Sequence, residues 1–182
     1  MRRAMAEATR NAARASGGRP VPAVNLHVTL AFLGSVPERQ VPQLGAIAQR
    51  AATLCGAAAP PLADGTRIEL AFEHLEYWRP AHLLCAVPAE PPAPATALAR
   101  SLQALLSEGG FAPDLKPFRP HVTVVRKVSR AGPASRMHPV VWRFTELALI
   151  ESRPLAAGAL YSVVESYALC SGINTENNSE TP

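Results

Sequence analysis

The sequence predicts an α+β fold, and two observations carry that reading. Helical and strand-period segments are interspersed, with strands often joined by short turns rather than each followed by a crossover helix. The tetrapeptide His27-Val28-Thr29-Leu30 also returns as His121-Val122-Thr123-Val124, 94 positions later (121 minus 27), about half of the 182-residue chain. Each copy alternates apolar and polar residues with a period of two and so reads as a strand. Leu26, Val28, Leu30 and Phe32 would share one face, with His27 and Thr29 on the other; Val122 and Val124 lie opposite His121 and Thr123. If the half-chains pack about a pseudo-two-fold axis, the two His/Thr pairs line one cleft.

In chain order, Met1, Ala4, Met5, Ala8 and Ala12 fall at helical spacing, and Gly17-Gly18 stops that helix. Pro20 and Pro22 hold the next segment extended, leading into a first His strand over 25–33 that ends at Gly34. A helix is predicted over 37–54, with Val41, Leu44, Ile47, Ala51 and Leu54 as its buried stripe and Gly56 as its stop. After an Ala/Pro linker at 57–63, a strand over 66–76 puts Ile68, Leu70 and Phe72 on one side. Tyr77-Trp78-Arg79-Pro80 turns the chain into an apolar strand over 82–87. The proline cluster 88–94 marks a seam between halves, and a helix over 94–108 points Ala95, Leu98, Leu102 and Leu105 inward. The second His strand spans 119–126, a polar basic loop 127–139, and two last strands 141–151 and 159–169, turning around Pro154 and Gly158. Residues 1–170 thus read as one bilobal domain, and 171–182 as a disordered polar tail.

Composition narrows the function. The chain is 48% hydrophobic, which suffices for a core, and its net charge of +4 suits an anionic ligand as well as it suits ordinary variation. Aromatics at 5% and the lack of a Lys/Arg run argue against a dedicated nucleic-acid groove. Cys55, Cys85 and Cys170 are neither a disulfide framework nor a zinc set and fit a reducing cytoplasm. No apolar stretch predicts a membrane span, and Arg2, Arg3, Arg10 and Arg14 read as an amphipathic helix rather than an organellar presequence. The absence of an HExxH, a Walker loop, a GxGxxG and a GxSxG elbow removes the main support for metal, nucleotide-triphosphate, dinucleotide and serine-hydrolase chemistry.

One HxT on a strand would mean little; two with matching flanks point to chemistry. Histidine titrates near neutrality, so one imidazole can accept a proton while a second, protonated one donates it. Thr29 and Thr123 can donate hydrogen bonds to phosphoryl oxygens as charge develops there. His74, His82 and His138 are read as structural.

At these residues the sequence resembles the 2H phosphoesterases. The stretch from Asn25 to Gly34, Pro117-Phe118-Arg119-Pro120-His121, Glu151-Ser152-Arg153 and the segment Gly158 to Tyr161 resemble the RNA 2′,3′-cyclic phosphodiesterases, historically called 2′–5′ RNA ligases, over residues 1–169. The resemblance implies two pseudo-symmetric antiparallel sheets with helices outside and a central cleft. It also implies metal- and cofactor-independent hydrolysis of RNA ends or nucleotides bearing a 2′,3′-cyclic phosphate to 2′-phosphomonoesters; a cytoplasmic location and a monomer are the expectations beside it. His27 would be the proton donor and His121 the acceptor, Thr29 and Thr123 would hold the phosphate, and Phe32 and Arg126 would contact substrate. ATP-independent RNA joining by the reverse chemistry and a non-catalytic RNA-binding module are the rivals. Family members open with an apolar strand before the first helix; this chain opens in the helix, so its first lobe lacks a strand or the start lies upstream.

Overall fold

A computed structural model describes residues 1–58, 68–114, 116–130, 132–155 and 158–169. Two antiparallel sheets of five and two strands, with helices packed on them, make an α+β fold. The N-terminal helical pattern becomes two short helices, α1 (Arg2–Ala8) and α2 (Arg10–Ala15), interrupted at Thr9. Thr9 Oγ1 donates to the Met5 carbonyl at 2.9 Å, the back-bonding that bends helices at threonine. The buried line differs from the expected one: it runs Met5, Thr9, Ala13 and Ser16, while Met1 and Ala4 are exposed. Thr9 and Ser16 tolerate burial because both hydroxyls bond backbone carbonyls of their own helices.

The large sheet runs in the order β1-β4-β3-β2-β5. Its strands are β1 (Arg19–Pro20), β2 (Ile68–Trp78), β3 (Leu83–Pro88), β4 (Val122–Arg126) and β5 (Ser135–Phe144). The small sheet is the hairpin of β6 (Glu146–Leu155) and β7 (Gly158–Ala168). Helix α3 (Val41–Ala58) packs on α4 (Ala93–Glu108) and across β6 and β7. Its buried stripe is Leu44, Ala48, Ala51, Ala52 and Cys55; Leu54, expected inward, is 47% exposed. Gly56 does not end the helix, because one glycine costs only about 1 kcal/mol in a helix interior. Helix α4 buries Ala95, Leu98, Leu102 and Leu105 as expected, with Ala99 and Leu106.

The expected single strand 141–151 is the end of β5 and the start of β6, in different sheets and separated by Thr145. The expected loop 127–139 is shorter, since β5 begins at Ser135. Ser135, Arg136, His138 and Pro139 are exposed there because β5 is an edge strand, and polar edges hide strand periodicity. The expected tail 171–182, Cys170 and most of the 57–63 linker lie outside the described residues. No helix among the described residues is long and apolar enough to cross a membrane.

Two irregularities decide what faces outward. Ile68, Leu70 and Phe72 are buried as expected, but the register of β2 slips between Phe72 and His74. Leu75 is therefore buried next, and Glu76 and Trp78 turn to the opposite face. A second slip opposite Leu84/Cys85 leaves Val124 and Val125 both buried, so Arg126 shares a face with Thr123. Gly18 packs tightly against β4: a Cβ there would lie 2.6 Å from Val125 Cγ1 and 2.7 Å from the Arg126 carbonyl. Backbone cannot rotate away, so Gly18→Ala is expected to cost about 1–3 kcal/mol, lowering Tm by roughly 2–12 °C for a domain this size. A calorimetric melt unchanged from wild type would show the approach to be loose.

Candidate active site

The two tetrapeptides meet at a single β-bridge, Val28 opposite Val122, antiparallel. This register sets His27 across from Thr123 and Thr29 across from His121, since 27 plus 123 and 29 plus 121 equal 28 plus 122. Val122 is fully buried and Leu26 nearly so, which anchors the segment to the core. His27, Thr29, His121 and Thr123, at the alternate positions, are half-buried on the other side. The two histidines stand on the diagonal of the pair, where residues are separated by about 7–8 Å and their Cβ atoms by somewhat less, enough for one tetrahedral phosphate between the rings.

The expected continuous strand over 25–33 is not formed. Ala23–Asn25 is a 3-10 turn, and β1 already occupies the outer edge of β4, with Pro20 opposite Val125 and the Val21 amide donating to the Val124 carbonyl. The chain rejoins β4 only at its first residue, and a ladder running the other way would meet Pro120, which has no N–H to give.

Both imidazoles are held by one device. Nδ1 of His27 donates to the Asn25 carbonyl at 2.7 Å, and Nδ1 of His121 donates to the Arg119 carbonyl at 2.8 Å. A carbonyl only accepts, so Nδ1 carries the hydrogen in each ring and Nε2 is left for chemistry. Burial pushes the His121 pKa below the ordinary imidazole value. The bond to the Arg119 carbonyl pulls it up, while the charges of His27 and Arg119 push it down again. The charge of His27 thus reaches His121 across the bridge.

A model of the 2′-5′ RNA ligase superfamily matches residues 2–154. The chain belongs to that superfamily. It is similar to the RNA 2′,3′-cyclic phosphodiesterase of Thermus thermophilus, with 32% identity over 93% of this chain and 84% of that protein. The protein of the same name from Escherichia coli is 30% identical over 63% of this chain and 58% of its own length. The crystal structure of E. coli LigT complexed with 3′-AMP superposes with a TM-score of 0.73, 25% identity and 91% of each chain covered.

Around the paired motifs of this superfamily member lie residues to which sequence reasoning gave no role. The ring of Tyr161, on β7, meets that of His27 edge-on at 4.9 Å, so the small sheet contributes to the site. The Trp78 ring lies 4.4 Å from that of His121, and the Arg119 guanidinium lies over Trp78. Arg119 and Tyr161 fall within the stretches that carry the family resemblance, and the bulge in β2 aims Trp78 here. Cys85 is the cross-strand neighbour of Thr123, its Sγ 3.9 Å from Oγ1. Burial pushes the Cys85 pKa up to about 11, so the thiol keeps its proton at neutral pH.

The other predicted contacts divide. Phe32 is 70% exposed, which excludes the core position that its alternation implied. Arg126 is exposed at the end of β4, and its charge reaches Cys85 beneath Thr123. Tyr77 Oη and His82 Nδ1 pair at 3.1 Å, and His138 lies on edge strand β5 beside its own Pro139. Among the described residues no three His, Cys, Asp or Glu side chains converge as a metal-ligand set.

Proposed function

We propose that this chain hydrolyses 2′,3′-cyclic phosphate ends of RNA, or nucleotides carrying the same group, to 2′-phosphomonoesters. The observation that carries the reading is the Val28–Val122 bridge, which sets the two His/Thr pairs against each other, with each Nδ1 engaged by a backbone carbonyl and Nε2 left for chemistry. The relatives named RNA 2′,3′-cyclic phosphodiesterase support the substrate class.

In this reading neutral His121 takes a proton from water through Nε2 as the water oxygen bonds to phosphorus. The P–O3′ bond breaks, and protonated His27 gives its Nε2 proton to the departing 3′ oxygen. Thr29 and Thr123 hydroxyls bond the two non-bridging oxygens, whose charge rises in the transition state. The lowered pKa of His121 supports its assignment as acceptor, because a base must be unprotonated at working pH. The side chains named suffice for this proton balance without a metal or cofactor. Cytoplasmic location and a monomeric state belong to the same proposal.

Incubation with a 2′,3′-cyclic nucleotide should yield the 2′ monoester; the 3′ monoester would reverse the assignment of leaving group. The pH profile of kcat/KM should be bell-shaped. Its acid limb, set by His121 losing a proton, should fall below the ordinary histidine value of about 6.5, and its alkaline limb reports the group that protonates the leaving oxygen. An acid limb above that value would contradict His121 as base. The superfamily's name favours a second reading, RNA joining with a ribose 5′-hydroxyl replacing water. Exchange on cleaved tRNA halves measures it directly.

A further inference from the structure

Behind His121 stands a cluster that neither phosphate binding nor proton transfer uses. One carboxylate oxygen, Oε2 of Glu76, accepts from Nη2 of Arg119 and from Nε1 of Trp78, the latter at 3.1 Å. The Trp78 ring lies 4.4 Å from the His121 ring with a 47° tilt, and the Arg119 guanidinium lies 5.2 Å from the Trp78 centroid. The Arg119 carbonyl is also the acceptor that fixes His121 Nδ1. Glu76 thus holds both the wall on which the imidazole rests and the residue whose backbone sets its tautomer.

The pair does not earn its place through stability. The Arg119 side chain is 59% exposed and that of Glu76 29%, and ion pairs this open contribute little to folding. Their placement is nonetheless specific. The β2 bulge that turns Glu76 and Trp78 outward puts Glu76 opposite Cys85, which is opposite Thr123. Glu76, Cys85 and Thr123 form one cross-strand row leading to the phosphate threonine, beside His121.

We propose that Glu76 is a positioning residue for His121, acting through the Trp78 ring and the Arg119 backbone. The idea rests on His121 being the proton acceptor. A misplacement of about 1 Å at a reacting group can cost as much as 100-fold, and Glu76 removes two freedoms at once: tilt of the ring and drift of the carbonyl. The charges that act on His121 are those of His27 across the bridge and Arg119 two residues before it, while Glu76 on β2 and Cys85 on β3 stand behind it in the sheet and act on each other.

Glu76→Ala and Glu76→Gln, each made in the full chain, test this. Alanine should lower kcat by about 10- to 100-fold and leave KM within about twofold, because alignment rather than substrate affinity is lost. Glutamine keeps an oxygen that accepts from both donors and should restore kcat to within about threefold of wild type. NMR titration of the His121 ring supplies a readout independent of turnover. Its pKa should rise in Glu76→Ala, as the Trp78 wall loosens and water reaches the ring, and stay put in Glu76→Gln. Trp78→Phe, which keeps an aromatic wall but cuts one tether, should move the titration less in the same direction and serves if the alanine variant fails to fold. Wild-type kcat and an unmoved His121 titration in Glu76→Ala would overturn the proposal. Were the wild-type chain inert toward cyclic phosphates, the functional reading would fail while the titration still judged the positioning.

Discussion

His27→Ala and His121→Ala should each slow cyclic-phosphate hydrolysis by roughly 10²- to 10⁴-fold, the range that a positioned acid or base contributes. The double variant should be little worse than either single one, because the two residues act as a unit and losing one already disables the proton balance. Neither change should unfold the chain. Both side chains are half-buried, and each ring's partner is a nearby backbone carbonyl that water can satisfy in its place. The His27 variant carries a further signature. Its charge helps to hold the His121 pKa down, so the pKa of His121 should rise toward the ordinary value when His27 is gone. A ring titration by NMR measures this directly. Full turnover in both single variants, with normal melts, would remove the catalytic reading; an unmoved His121 titration would mean that the rings do not share a site.

Thr29→Val and Thr123→Val should each lower kcat by about 10²- to 10³-fold, as loss of one oxyanion donor does elsewhere. The loss belongs in kcat because the phosphate oxygens carry more charge in the transition state than in the bound ester. A rise in KM at constant kcat would instead mean that the hydroxyls bind ground state and transition state alike. The two variants should differ in stability. Thr123→Val leaves the fully buried Cys85 thiol facing a methyl group in place of a hydroxyl, and among the described residues no such buried group bonds Thr29. Thr123→Val should therefore melt below Thr29→Val, and Thr123→Val with Cys85→Ala should recover part of the difference.

The hydrophobic pattern made several elements legible. Leu98, Leu102 and Leu105 recur at helical spacing and are buried on α4; Ile68, Leu70 and Phe72 alternate and are buried on β2. These segments satisfy their own backbone locally or with an adjacent strand, so local periodicity reports their burial. The segment 25–33 misled for the opposite reason. Its alternation is real, as Leu26 and His27 show, yet only Val28 pairs, because β1 and Val21 already hold β4 as far as Val124 and Pro120 has no N–H to give. The N-terminal stripe misled because Thr9 and Ser16 are buried with their hydroxyls satisfied, which no apolar count can find.

By itself the sequence determined the chemistry on offer: two imidazoles and two hydroxyls, each pair on one side of an apolar anchor, half a chain apart. A period of two guarantees that much whenever the apolar residues are buried. What the tertiary structure decided was which partners those groups have. Val28 meeting Val122 made two remote motifs into one site, and one-residue bulges in β2 and at Val124 turned Glu76, Trp78 and Arg126 toward it. A bulge reverses which face every later side chain takes, and its position depends on strand pairing across the sheet rather than on the residues nearby.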